Sequence, residues 1–133
     1  MGKLIIASVL MALQFTPVLA APVTLSCDII SSSDDANLFN DVNQIILDVA
    51  ASTVDLRIAQ TIGTDKPMNW IFHSRTDSLG VDTFTIKRSG AFLYGAGLYG
   101  AAAHSFALGD DGALSWAFFW EGKLTTFKWR CSK

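Results

Sequence analysis

The stretch that most limits how this chain can fold is residues 113–131, ALSWAFFWEGKLTTFKWRC. It reads as two strands joined at Glu121-Gly122. Folding back there sets Leu114 against Trp129, Trp116 against Phe127, Phe118 against Thr125 and Trp120 against Lys123. Side chains alternate along a strand, and cross-strand partners share a face. One face therefore collects Leu114, Trp116, Phe118, Trp120, Phe127, Trp129 and Cys131. The other collects Ala113, Ser115, Ala117, Thr126, Lys128 and Arg130. A slip of one residue would scatter both sets, so the pattern specifies its own register. Trp116, Phe127 and Trp129 are expected in the interior of a β-domain.

The N-terminus carries Lys3, an apolar run over residues 4–13 and small residues up to Ala20. These are the marks of a secretory signal peptide over residues 1–20, leaving residues 21–133 as a single domain. The expectation is export, to the periplasm or beyond the cell. The apolar run is short for a membrane span and no later segment offers one. With 10 Lys and Arg against 12 Asp and Glu, the net charge of −2 gives no general attraction to nucleic acid. Cys27 and Cys131 bracket the domain. In an oxidising compartment such a pair reads as a disulfide. A lipidated Cys27 is disfavoured by Thr24, where a lipobox wants Leu. A redox pair is disfavoured by the absence of Cys-x-x-Cys.

Residues 23–29 alternate with Val23, Leu25, Cys27 and Ile29 on one side. Both cysteines thus fall on apolar faces, and the first and last strands can be neighbours, which is how a sheet closes into a barrel. Residues 31–49 admit two readings. Leu38, Val42, Ile45, Ile46 and Val49 fit a helical stripe that Ser33 or Asp34 would cap. Residues 45–49 also alternate as a strand and lead into Val54, Leu56 and Ile58. The preferred reading is a hairpin over 44–62, preceded by a loop or one or two helical turns near 34–42. Residues 63–67 form a turn by composition. Met68, Trp70 and Phe72 mark an inward face, and 74–80 reads as a polar loop. Asp110-Asp111-Gly112 is a three-residue hairpin loop pairing Leu108 with Leu114, Phe106 with Trp116 and His104 with Phe118. Arg88-Ser89-Gly90 has the same form, which sets Ile86 opposite Phe92 and Phe84 opposite Tyr94, all inward. Between these loops, the glycines of 93–103 imply bent strands, or a short loop with Tyr99 at its tip. The sum is an all-β, meandering antiparallel barrel of about eight strands, or a barrel-like sandwich, closed by one disulfide.

No nucleophile elbow, phosphate loop, His-Glu-x-x-His or zinc-spaced cysteine set occurs. The expectation is therefore no catalytic residue, no metal and no cofactor. His73 reads as a rim histidine and His104 as a satisfied histidine on the aromatic face. Asp110 and Asp111 read as turn residues. Trp120, Tyr94 and Tyr99 sit at turns or beside glycines, where a barrel opens, with Lys123 at the edge. These four residues are the candidate binding site, because loops on a rigid scaffold carry recognition and Trp and Tyr give much contact for little lost rotamer freedom.

In its small size, a cysteine near each end and an aromatic, Gly-rich C-terminal half, the chain broadly resembles exported barrels such as lipocalin-like domains and the inhibitors of c-type lysozyme. The latter carry Ser-Gly-x-x-Tyr on a loop. Here Ser89-Gly90 is followed by Leu93 at the matching position and Tyr94 one place late. No family is assigned and no functional residue carried over. The expected function is a non-catalytic binding or interaction module. Its alternatives are an inhibitor of a hydrolase, implied by the second resemblance, and a carrier of a small apolar ligand. The partner is then a protein or a small apolar molecule.

Overall fold

The computed structural model describes residues 21–59, 68–77 and 80–133. The readings of 1–20 as a signal peptide and 63–67 as a turn, and the last residues of the 44–62 hairpin, lie outside the described residues. Among those described, the strands are β1 (Val23–Ser32), β2 (Gln44–Asp48), β3 (Thr53–Ile58), β4 (Met68–Phe72), β5 (Arg75–Asp77), β6 (Gly80–Asp82), β7 (Phe84–Ser89), β8 (Phe92–Tyr99), β9 (Ala102–Gly109), β10 (Ala113–Trp120) and β11 (Lys123–Ser132). Nine of them form one antiparallel sheet in the order β4-β3-β2-β1-β11-β10-β9-β8-β7. The sheet curls into a nearly closed barrel. The strands β5 and β6 make a separate small hairpin where a polar loop was expected. No helix of the described residues is long and apolar enough to cross a membrane.

The C-terminal hairpin has the register that its sequence specifies, from Leu114 opposite Trp129 to Trp120 opposite Lys123. Glu121 and Gly122 both take positive φ, 49° and 77°, as a two-residue I′ turn requires. The Asp110-Asp111-Gly112 loop also keeps its expected register, with Phe106 opposite Trp116. The strands β1 and β11 pair with Cys27 opposite Cys131, and the two cysteines form a disulfide. Its inward cysteines belong to a core that includes Leu56, Phe72, Phe84, Trp116, Phe127 and Trp129. Inside the barrel Phe106 stacks on Trp116 at 5.0 Å, and Phe127 on Trp129 at 5.4 Å. Trp129 is wholly buried.

One hairpin departs from expectation. The strands β7 and β8 meet with Ser89 opposite Phe92, Ile86 opposite Gly95 and Phe84 opposite Gly97. The turn is therefore the two-residue Gly90-Ala91, with Gly90 at φ 57° in the first central position. This slip by an odd number of residues turns Phe92 and Tyr94 outward and Leu93, Gly95 and Gly97 inward. The physical reason lies on the two neighbouring strands. A Cβ on Gly95 would collide with the Phe106 ring, and one on Gly97 with the backbone of Thr83 and Phe84. Large core rings already fill the space that inward side chains of β8 would need.

The two edges of the sheet, β4 and β7, meet without a ladder. The Ser74 hydroxyl follows β4 and accepts from the Phe84 N–H at 3.1 Å. It also donates to the Phe84 carbonyl at 2.9 Å. The Ser52 hydroxyl accepts from the Ile86 N–H at 3.3 Å. Two serine side chains thus occupy polar groups of an edge that would otherwise recruit another strand.

Candidate functional site

The barrel end that carries the Gly100-Ala101 and Glu121-Gly122 turns is closed by an aromatic cluster. The segment between β1 and β2 crosses it. Asn37 Oδ1 caps a single 3₁₀ turn, Leu38–Asp41, by accepting from the Phe39 N–H at 3.0 Å. This is the helical turn expected near 34–42, and its cap is Asn37 rather than Ser33 or Asp34. The turn buries Phe39 against Trp70 at 4.7 Å and against Phe118 and Phe127, both at 5.6 Å. Phe39 stood in no apolar repeat, so sequence periodicity gave no hint of this plug.

His104 lies beneath the plug, buried among Phe72, Tyr99, Phe118 and Trp116. Its Nδ1 accepts from the Trp116 Nε1–H at 3.0 Å. An indole N–H only donates, so Nδ1 carries no proton and the ring is neutral, protonated at Nε2. Burial pushes its pKa down to about 4, which agrees with a neutral ring. His73 lies elsewhere, its Nδ1 3.2 Å from the Ser74 carbonyl. Among the described residues no group of three or more His, Cys, Asp or Glu side chains is arranged to hold a metal. The Asp111 carboxylate accepts from the Ala113 N–H at 3.0 Å, a turn role, and Asp110 pairs with Arg88 at 2.9 Å.

Above the plug, a groove of ≈ 410 Å³ runs between residues 34–39 and the β10–β11 hairpin, with Trp120 and Lys123 on one side and Trp70 in its lining. Lys123 Nζ reaches across to Asp34 Oδ2 at 3.1 Å. Hydrogen bonding from Lys123 is the largest cause of a lowered pKa at Asp34. The ion pair is exposed and ties the crossing segment to the hairpin weakly.

The four sequence candidates are thus divided. Trp120 and Lys123 line one groove. Tyr99 belongs to the same end but turns inward, packing on Phe72 at 4.8 Å. Tyr94 is not at the mouth: it stands on the outer wall beside Phe92, with ring centroids 5.8 Å apart. The inverted face of β8 puts it there. Leu98, Ala103, Phe119 and Leu124 were not foreseen, yet they form one cross-strand row on the outer face of the sheet, opposite the face that Trp120 and Lys123 turn to the groove. Compared with known proteins, the chain matches no protein-family model and no curated protein.

Proposed function

We propose that this chain is an exported, non-catalytic interaction domain that binds a protein partner through its Trp120 end. The observation that carries the reading is a concentration of exposed large apolar side chains there. Leu38 is 49 % exposed, Trp120 50 %, Phe119 52 % and Leu124 60 %. Leu38 and Trp120 line the groove, while Phe119 and Leu124 stand on the other face of the Trp120 hairpin tip. Exposed aromatic and aliphatic groups concentrated at one barrel end have the composition of an interface centre. The supporting frame is rigid: two tight turns and a plugged barrel hold these side chains, so little ordering is needed on binding. Export is supported by the Lys3 and apolar leader pattern and by the disulfide. A small apolar ligand held inside the barrel is the weaker reading, because Phe72, Phe84, Trp116, Phe127 and Trp129 occupy the interior.

The test uses the mature protein, tagged and cross-linked in its native host, with Trp120→Ala and Leu124→Asp beside the parent. A partner that cross-links to the parent and is lost from both variants, at unchanged melting temperature, supports the reading. Equal recovery of that partner with all three proteins would refute it.

A further inference from the structure

A second surface lies on the outer wall, away from the Trp120 groove. The strands β7 to β11 align Lys87, Tyr94, Ala107, Ser115 and Lys128 in one cross-strand row. The next row toward the Trp120 end is Thr85, Ala96, Ser105, Ala117 and Thr126. Over these rows the wall forms an open depression of ≈ 870 Å³. Its depth comes from the short floor side chains. Its character comes from what stands on the floor: a lysine at each end, a half-exposed tyrosine near one of them, two serine hydroxyls between, and a threonine beside each lysine on its own strand. We propose that this depression binds an anionic oligosaccharide, carboxylated or sulfated, laid across the strands.

Charge is the first argument. Among the described residues, Lys87 and Lys128 are the charged side chains lining the depression, and no carboxylate lines it. Neither lysine makes an ion pair or a side-chain hydrogen bond among the described residues. The chain as a whole carries −2, so this patch has the opposite sign to the molecule. Attraction of an anion here is a local property, not a consequence of net charge.

Reach is the second. Four strand spacings separate the lysines, about 19 Å along the sheet. A single small anion meets one of them, whereas a chain bearing repeated negative groups meets both.

The third argument separates a glycan from an acidic peptide. The backbone groups of β8, β9 and β10 are used in ladders on both sides. A peptide lying across the face would find no backbone partners, and its amides would lie over Ala96, Ala107 and Ala117. A sugar brings hydroxyls that both donate and accept, as do Thr85, Ser105, Ser115 and Thr126. Tyr94, supported by Phe92, offers a flat ring with a polar tip against which the apolar face of a sugar can pack.

The experiment is calorimetric titration of the mature protein with four probes. They are an oligogalacturonate, a sulfated oligosaccharide, a neutral cello-oligosaccharide and poly-glutamate. At least one acidic sugar should bind, with affinity falling as salt is raised, and the neutral sugar and poly-glutamate should not. Lys87→Gln with Lys128→Gln should weaken that binding at least tenfold, and Tyr94→Ala should weaken it at unchanged salt slope. Trp120→Ala should leave it intact, which separates this site from the partner surface. Circular dichroism melting confirms that each variant is folded. Absence of binding to both acidic sugars, binding unchanged in the double lysine variant, or equal binding of poly-glutamate would each overturn the proposal.

Discussion

His104 shows how one side chain can make the whole molecule acid-sensitive. The groups that pack on it are Phe39, Phe72, Tyr99, Trp116 and Phe118, and none of them carries a charge at neutral pH. Its pKa falls from 6.5 to about 4 on folding, so between these values the unfolded chain binds the proton and the folded one does not. Stability from this group is therefore complete above pH 6.5. It declines as pH drops toward 4, by at most roughly 3–4 kcal/mol. Asp34 acts in the opposite pH region. Its lowered pKa makes its contribution fade below the usual carboxylate value of 3.8. Urea denaturation of the parent at pH 7 and pH 4.5 should show the loss. A His104→Gln variant keeps an acceptor for the Trp116 N–H but cannot titrate in this range, so its curve should be flatter. The same slope in both proteins would place the acid sensitivity in another group.

Among the hairpins, legibility in the sequence followed the size of the inward side chains. The β10–β11 register can be read because Trp116, Phe118, Phe127 and Trp129 recur at every second position and all turn inward. In β8 the inward positions include Gly95 and Gly97, and the outward ones include Phe92 and Tyr94. A hydrophobic pattern alone then selects the wrong face, since the glycines fit against rings on other strands that local sequence does not reveal. The candidate site divides for the same reason. Trp120 and Lys123 flank a turn whose geometry is local, and they stand where the sequence sets them. Tyr94 depends on the β8 register and moves to the wall. The outer depression could not be read at all, because Ala96, Ser105 and Ala117 acquire meaning only once three strands are aligned. The seam between β4 and β7 is equally silent in sequence, yet it carries a clear energetic consequence. Ser74→Ala removes both hydrogen bonds to the Phe84 backbone, and the stranded groups should cost about 1–3 kcal/mol. The opened edge should also make the variant self-associate, seen as a concentration-dependent rise in sedimentation coefficient. Ser105→Ala, on the outer wall with no such bonds, should stay within about 0.5 kcal/mol of the parent. Equal stability of the two variants would mean that the seam is held by apolar packing instead.

At the scale of the molecule, the sheet consists of an N-terminal run, β1 to β4, and a C-terminal run, β7 to β11. Among the described residues their one shared ladder is β1 against β11, and the serine seam joins them on the opposite side. The disulfide bridges Cys27 and Cys131 across that ladder, over a sequence separation of 104 residues. Closing so long a loop removes much freedom from the unfolded chain, worth roughly 4–5 kcal/mol in the chain-entropy model. The consequence is not only a lower melting temperature for a Cys27→Ser, Cys131→Ser variant. Without the bridge, the β1–β11 ladder, the seam and core packing such as Phe39 on Phe118 and Phe127 hold the two runs together, with no covalent link across the junction. The ladder is further interrupted at Ile30, where its register shifts. The C-terminal meander keeps its tight turns and the Phe106–Trp116 stack whether or not the bridge is present. Amide hydrogen exchange should therefore change unevenly. In the serine variant, protection across β1 and β11 should fall further than protection between β9 and β10, because local opening at the junction costs less than unfolding the meander. Uniform loss of protection over every strand would instead show that the two runs unfold as a single unit, with the bridge acting on the unfolded chain alone.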